Sequence, residues 1–369
     1  MKKILLGSAL SVGCLNFVHA DTSVTLYGVL DAGITHQRIS GMWDGSPYSS
    51  KSTGLLSGGQ SGNRWGLKVT ESLGNGTAAV VQLESGFELT TGESKQGGRL
   101  FGRQATLGLQ NKSWGRIDVG RQTNMASKFR SKVLDTMDSS YNQLAVGASF
   151  SSMNTVRYDN MVLYQSPNVN GFQAGVGYSF AIDGEQVGSI NGEKKDNTAL
   201  TSGLRYGNGP FEAFITYDQI KLRTQDTTMR AWSLGMAYDF DILKLSMAVG
   251  NTRNGWFAGQ DFASISSGSF VAADGLDFNS YLIGINAPIG KGNIRAMWQM
   301  ADPSHGAQRS RRSAFVGDNL DTQQIFSLGY TYKLSKRTNL YAYGSYARHV
   351  LFQKDLTSKL VSAGIRHRF

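Results

Sequence analysis

Residues 229–240 read MRAWSLGMAYDF, and within them Trp232, Leu234, Met236 and Tyr238 alternate with Ser233, Gly235, Ala237 and Asp239. A period of two puts the large apolar side chains on one face of an extended strand and the small or polar ones on the other. The rhythm recurs along the chain. Phe172, Val176, Tyr178 and Phe180 alternate with Gln173, Gly175, Gly177 and Ser179; Val24, Leu26, Leu30 and Ile34 share a face against Thr25, Asp31 and Thr35. Sixteen such runs can be counted, from 24–38 at the start, through 64–72, 77–90, 99–110, 116–121 and 155–166, to 356–369 at the end. Residues 39–61 read as a Gly/Ser-rich loop.

Most runs are near the ~9–11 residues that a tilted strand needs to cross a membrane. Their apolar face carries aromatics toward the strand ends, while the other face is polar and glycine-rich along its length. A soluble sandwich would have to bury that second face; a water-filled barrel needs it polar. Short connections such as 207–210, 288–292 and 335–337 alternate with longer ones such as 254–276 and 302–321, the asymmetry of outer-membrane barrels. Closure is then required, because an open sheet edge in hydrocarbon leaves peptide groups without partners. The expected fold is all-β, a 16-stranded antiparallel transmembrane β-barrel in one domain, 21–369, with both termini on the periplasmic side.

The chain opens MKKILLGSALSVGCLNFVHA. Lys2 and Lys3, the apolar stretch 4–13 and the small-x-small end Val18-His19-Ala20 make residues 1–20 a secretory signal peptide, to be removed. The one cysteine, Cys14, lies inside it. Lipid attachment there is disfavoured by Ser11, which stands where leucine is usual. The exported chain therefore folds without disulfides. Loss of Lys2 and Lys3 lowers the formal net charge from +10 to +8. Export makes nucleic acid the least fitting partner for that basic balance, and anionic solutes or acidic lipid the better ones.

One segment breaks the rhythm. Residues 122–154, QTNMASKFRSKVLDTMDSSYNQLAVGASFSSMN, show no sustained alternation, and a connection of that length is normally functional or disordered. It mixes Lys128, Arg130 and Lys132 with Asp135 and Asp138. Between two strands of a barrel, it reads as a segment folded into the lumen.

Several short motifs now resemble a known family, the trimeric general diffusion porins of the Gram-negative outer membrane, β-proteobacterial type. They are Val24-Thr25-Leu26-Tyr27-Gly28, Arg64-Trp65-Gly66-Leu67-Lys68, Gly102-Arg103-Gln104-Ala105, Val119-Gly120-Arg121-Gln122 and the terminal Arg366-His367-Arg368-Phe369. Each is weak alone; their order along the whole mature chain is specific. The resemblance implies a homotrimer in outer-membrane lipid and lipopolysaccharide, and a third loop, here 122–154, that narrows the pore. Opposite it the wall would carry arginines: by motif position Arg64, Arg103 and Arg157, with Lys68 beside them and Asp135 and Asp138 supplying acid on the loop. It also implies a contact of Arg121 with Glu93 of a neighbouring subunit. The chain departs from enteric porins in lacking a PEFGG segment in that loop.

Alternation independently puts Arg64 and Arg157 on the polar face, whereas Arg103 has the parity of Ala105, Leu107 and Leu109, so either a bulge intervenes or it faces outward. Arg121 shares parity with Ile117 and Val119. Inward charges can also do no more than keep the lumen wet and pair with Glu84 or Glu88. As a group, Arg64, Lys68, Arg157, Lys128, Arg130 and Lys132 outnumber Asp135 and Asp138, and a basic passage concentrates anions and repels cations. The expected function is passive diffusion of small anionic or neutral hydrophilic solutes with anion preference. The alternative is a substrate-specific channel for phosphate, sulfate or organic acids. Arg309, Arg311 and Arg312 read as a solvated run in a long loop, and Trp65, Trp232, Trp298 and Tyr330 as an interfacial girdle. His36, His305, His349 and His367 are dispersed without metal-ligand spacing, and neither GxSxG nor HExxH occurs. No cofactor and no enzymatic activity are expected.

Overall fold

The computed structural model describes residues 22–43, 45–134, 136–137, 142–151, 153, 157–190, 192–255, 272–307 and 320–369. The expected signal peptide, 1–20, with Cys14, the loop acids Asp135 and Asp138, and Arg309, Arg311 and Arg312 lie outside the described residues. Seventeen strand segments join in one antiparallel sheet, and two of them share a single edge. Strand β1 (Thr22–Trp43) pairs through 22–29 with Arg64–Gly74 and through 32–43 with Ser46–Ser57. Those two partners are successive segments of one stave, β2, so the wall has sixteen positions. The others are β3 (Thr77–Gly86), β4 (Gln104–Asn111), β5 (Gly115–Thr123), β6 (Arg157–Gln165), β7 (Phe172–Ser179), β8 (Thr198–Asn208), β9 (Phe211–Leu222) and β10 (Thr227–Asp239). They continue with β11 (Lys244–Arg253), β12 (Asp277–Ile289), β13 (Gly292–His305), β14 (Gln323–Lys333), β15 (Thr338–Arg348) and β16 (Thr357–Arg368).

β16 returns to β1, from Val29 opposite Arg368 to Ser40 opposite Thr357, and the barrel is closed. Gly28 and Phe369 exchange backbone hydrogen bonds of 3.1 and 3.2 Å at the seam. The apolar face points outward. In β10, Trp232, Leu234, Met236 and Tyr238 are 41–46% exposed, while Ala231, Ser233 and Ala237 are buried. Such an exterior is stable against hydrocarbon, not water.

Five local departures from the periodicity stand out. The expected loop 39–61 is mostly strand, because β1 runs on to Trp43 and pairs with Ser46–Ser57. That hairpin is exposed on both faces over most of its length, so it carries no apolar alternation to read. β4 begins at Gln104 rather than 99. In β6, Asn160 takes φ +46°, and the register opposite shifts between Gly120 and Gln122. Tyr158 is thereby turned to full burial, although Val162 and Tyr164 stay outward as expected. Within 122–154 a helix, α1 (Met125–Val133), is capped by Asn124, whose side-chain oxygen accepts from the Ser127 N–H at 3.0 Å. Its signal was present: Met125, Phe129 and Val133 recur every four residues and are buried. Finally, the inner face is not polar throughout. Phe214, Met229, Met297, Tyr343 and Leu360 form one buried cluster with Met125, Phe129, Met137 and Phe150.

The break in β2, residues 58–63, wraps the buried carboxylate of Asp31. Gly59 donates to Oδ1 at 3.1 Å, Gln60 and Ser61 donate to Oδ2 at 2.9 and 2.7 Å, and the Tyr341 hydroxyl donates to Oδ1 at 2.7 Å. Asp31→Ala would orphan these donors, at about 1–3 kcal/mol for each one left unsatisfied. We expect it to lower the unfolding free energy by roughly 4 kcal/mol or more, and Asp31→Asn by less, since an acceptor oxygen remains. Urea unfolding in detergent measures this; an unchanged midpoint for Asp31→Ala would mean that the carboxylate does not hold the break.

Candidate functional site: the charged inner wall

Tyr27, Arg64, Lys68, Gln82 and Glu84 share the inward parity of β1 to β3, opposite to Leu26, Trp65 and Leu83. Gly66 stands directly opposite Tyr27, and a Cβ there would come within 2.9 Å of the tyrosine ring. The missing side chain lets the ring lie across the strand and reach Glu84. Its hydroxyl donates to Glu84 Oε2 at 2.8 Å and accepts from Gln82 Nε2 at 2.8 Å. Arg103 Nε donates to Glu84 Oε1 at 2.6 Å, Arg64 Nε lies 3.8 Å from Oε2, and Lys68 Nζ sits 4.8 Å above the Tyr27 ring. Arg157 Nε donates to the Arg103 carbonyl at 2.8 Å.

Arg103 and Arg64 therefore flank one carboxylate, with Lys68 over the Tyr27 ring and Arg157 on the Arg103 carbonyl beside them. Arg103 reaches it from the connection ahead of β4, outside the strand, so its shared parity with Ala105 carries no directional information. Glu84 is nearly buried, at 9% side-chain exposure, while Arg64 keeps 26%. The acid is thus covered by the cations that surround it.

A second cluster lies next to the first. Arg99 Nη1 and Arg121 Nη1 reach Asp159 at 2.8 and 2.5 Å, and Arg121 Nε donates to the Gly102 carbonyl at 2.7 Å. Arg121 is engaged within its own chain at the point where the β5–β6 register shifts. Glu93 lies apart from it on an exposed turn, where it accepts from the Thr91 hydroxyl at 3.2 Å. Nearby, burial alone would raise the Glu88 carboxyl, but the hydrogen bonds from Lys95 and Ser57 outweigh it and hold the group below its usual range. Tyr27, Arg99 and Asp159 were not singled out from sequence as site residues. The motif positions of Arg64 and Arg103 pointed to the place but not to these partners, which come from separate strands and connections.

The segment that begins at Gln122 is tied to inward-parity side chains of several staves. Asn124 Nδ2 donates to Asp218 Oδ1 at 2.8 Å, and the Met125 N–H to Thr201 Oγ1 at 2.9 Å. Arg295, Gln299 and Gln323 donate to the carbonyls of Thr136, Ala145 and Ala148 at 2.8, 3.2 and 2.9 Å. The Ser280 and Tyr343 hydroxyls donate to those of Ser149 and Met137 at 2.7 and 3.1 Å. Of the loop cations, Lys128 is half-buried on α1, and Arg130 is buried. Burial pushes the Arg130 guanidinium down to about 10, with the Asp218 charge opposing. Lys132 belongs to α1, but its side chain lies outside the described residues, as do Asp135 and Asp138.

Comparison with known proteins extends this geometry. Residues 8–349 match a family model described as Gram-negative porin. An outer membrane porin protein of Bordetella pertussis is 45% identical across the full length of both chains. Among solved structures, the anion-selective porin from Comamonas acidovorans superimposes with a TM-score of 0.68 at 22% identity, covering 95% of this chain and all of that one. The trimer form of OmpT from Vibrio cholerae gives a TM-score of 0.59 at 13% identity, covering 94% of this chain and 99% of the other. Together with a closed barrel whose apolar face is turned outward and whose inner wall is charged, these matches establish that the chain belongs to the Gram-negative porin family of the outer membrane.

Proposed function

We propose that this porin conducts small hydrophilic solutes passively with a preference for anions, and that residues 122–154 lie inside the barrel as its constriction. The observation that carries the preference is the set of cations around Glu84. Arginine keeps its charge in almost any site, and two arginines sharing one covered carboxylate, with Lys68 and Arg157 beside them, leave a net positive wall. In a narrow aqueous passage such a wall raises local anion concentration. The anion-selective porin of Comamonas acidovorans, similar in fold, supports the same reading.

Glu84 then sets how strongly the wall attracts anions, and Tyr27 and Gln82 hold it in place. Arg157 acts at one remove, through the Arg103 carbonyl. Reversal potentials in a potassium chloride gradient test this. Arg64→Glu and Arg103→Glu should move selectivity toward cations, each changing the local charge by two units, and Glu84→Gln should move it further toward anions. Unchanged potentials in all three would place the cluster away from the narrowest point. A saturable block of conductance by phosphate, sulfate or an organic acid would instead favour a substrate-specific channel.

The placement of 122–154 is supported by its hydrogen bonds to inward residues of β8, β9 and β12 to β15. Deleting residues 142–151 should raise single-channel conductance, and an unchanged conductance would put the segment outside the conduction path. An even number of staves places both ends of the barrel on one side of the membrane, which fits periplasmic termini and long connections facing out. A homotrimer is supported by the trimer form of the similar OmpT. An inter-subunit contact of Arg121 with Glu93 would have to compete with Asp159, which Arg121 already holds. Cross-linking of the purified porin in detergent should yield a trimer as its largest product; a ladder ending at monomer would exclude that assembly.

A further inference from the structure

A polar lumen does not by itself call for glycine. Threonine would keep the inner wall as polar and suit a strand better. Glycine inside a strand weakens it and often marks the close approach of another group. On the inner wall of β7 to β12 that group is the segment 122–154. A Cβ on Gly175 would stand 2.6 Å from Met125 Sδ, one on Gly203 3.0 Å from Phe129 Cδ2, and one on Gly250 3.2 Å from Phe150 Cε1. On Gly284 it would lie 2.7 Å from Thr136 Cγ2 and 2.8 Å from Thr136 Cβ.

These contacts are in register. Gly175 stands directly opposite Gly203 on the neighbouring stave. The side chains that fill the two bare positions, Met125 and Phe129, are one helical turn apart on α1. From Gly203 the same inward row continues through Thr216 and Ser233 to Gly250 and Ser280. The returning part of the segment lies along its far end, with Phe150 over Gly250 and the Ser149 carbonyl on the Ser280 hydroxyl. Met125, Phe129 and Phe150 are buried between the segment and the wall.

We propose that Gly175, Gly203 and Gly284 are positioning residues of the pore: their bare backbone lets the segment 122–154 sink into the wall, and the depth of that seat sets the size of solute admitted. This rests on 122–154 being the constriction proposed above. Size and charge are then governed by different residues, the glycines of β7, β8 and β12 on one side and the cations beside Glu84 on the other. A close-packed contact cannot absorb an added side chain, so bulk on the wall displaces the segment toward the lumen. Thr136 is short and branched, and Arg295 holds its carbonyl, so it has no room to yield. The flexible end of Met125 gives way to one methyl group but not to a leucine.

Single-channel conductance of the purified porin, with uptake of sugars of graded size by proteoliposomes, tests the seat. Gly284→Ala and Gly175→Leu should each lower conductance and the size limit, while the reversal potential in a potassium chloride gradient keeps its sign. Gly284→Ala/Thr136→Gly and Gly175→Leu/Met125→Ala remove the displaced side chain and should restore wild-type values, which a merely damaged strand would not regain. Gly344→Ala, on the outward face with nothing within 4 Å of the new Cβ, should conduct as wild type, and an equal loss there overturns the proposal. A single variant that fails to insert while its double conducts as wild type supports the seat. Wild-type conductance in either single variant overturns it, as do double variants that fail to insert or stay below wild type. Deletion of residues 142–151 separates this from the constriction itself. If the deletion raises conductance and the glycine variants leave it unchanged, only the seat is wrong; if none of them changes it, 122–154 is not the constriction either.

Discussion

Every peptide group that this chain carries into hydrocarbon needs a hydrogen-bonding partner on a neighbouring strand, because no water is there to supply one. The pairing of β1 with β16 completes that circuit, from Val29 opposite Arg368 to Ser40 opposite Thr357. Once the sheet is closed, each strand has one face toward lipid and one toward the interior, and alternation acquires a direction. Trp232 and Leu234 meet hydrocarbon while Ala231 and Ser233 turn inward. The even stave count depends on the same closure.

Inside, the wall is built by covering acids with bases. Glu84 accepts from Arg103 and the Tyr27 hydroxyl with Arg64 3.8 Å away, Asp159 accepts from Arg99 and Arg121, and Asp31 accepts from three backbone N–H groups and a tyrosine hydroxyl. Burial of a carboxylate is costly unless it is paired and hydrogen-bonded, so these acids fasten non-sequential segments to one another. Asp31 holds the break in β2, and Asp159 joins Arg99 and Arg121 across the start of β6. The cations that remain exposed, Lys68 and Arg99 ahead of Arg64, are the ones available to solutes in the proposed anion-preferring channel.

The sequence reading succeeded where one strand's own pattern carried the information. The strands and the outward aromatics were visible from alternation, and short family motifs marked Arg64 and Arg103 without saying which way Arg103 points. It failed where the pattern was locally overridden. Tyr158 has outward parity, yet the left-handed Asn160 turns it to full burial. The hairpin past Ile39 is strand without amphipathic signal, because most of it is exposed on both faces. α1 was overlooked although Asn124 and the spacing of Met125, Phe129 and Val133 announced it, since a 9-residue helix amid long alternation is easily read as irregular.

The sequence by itself determined the architecture and the family, because strand periodicity and motif order are local properties that survive without knowledge of partners. Only the tertiary structure decided which groups meet: Glu84 with Arg103 and Tyr27, Asp159 with Arg99 and Arg121, Asp218 with Asn124. Each of those pairs joins residues at least 19 positions apart. Their encounter follows from the register of neighbouring staves and from two stretches, 99–103 and the segment after Gln122, that obey no period of two.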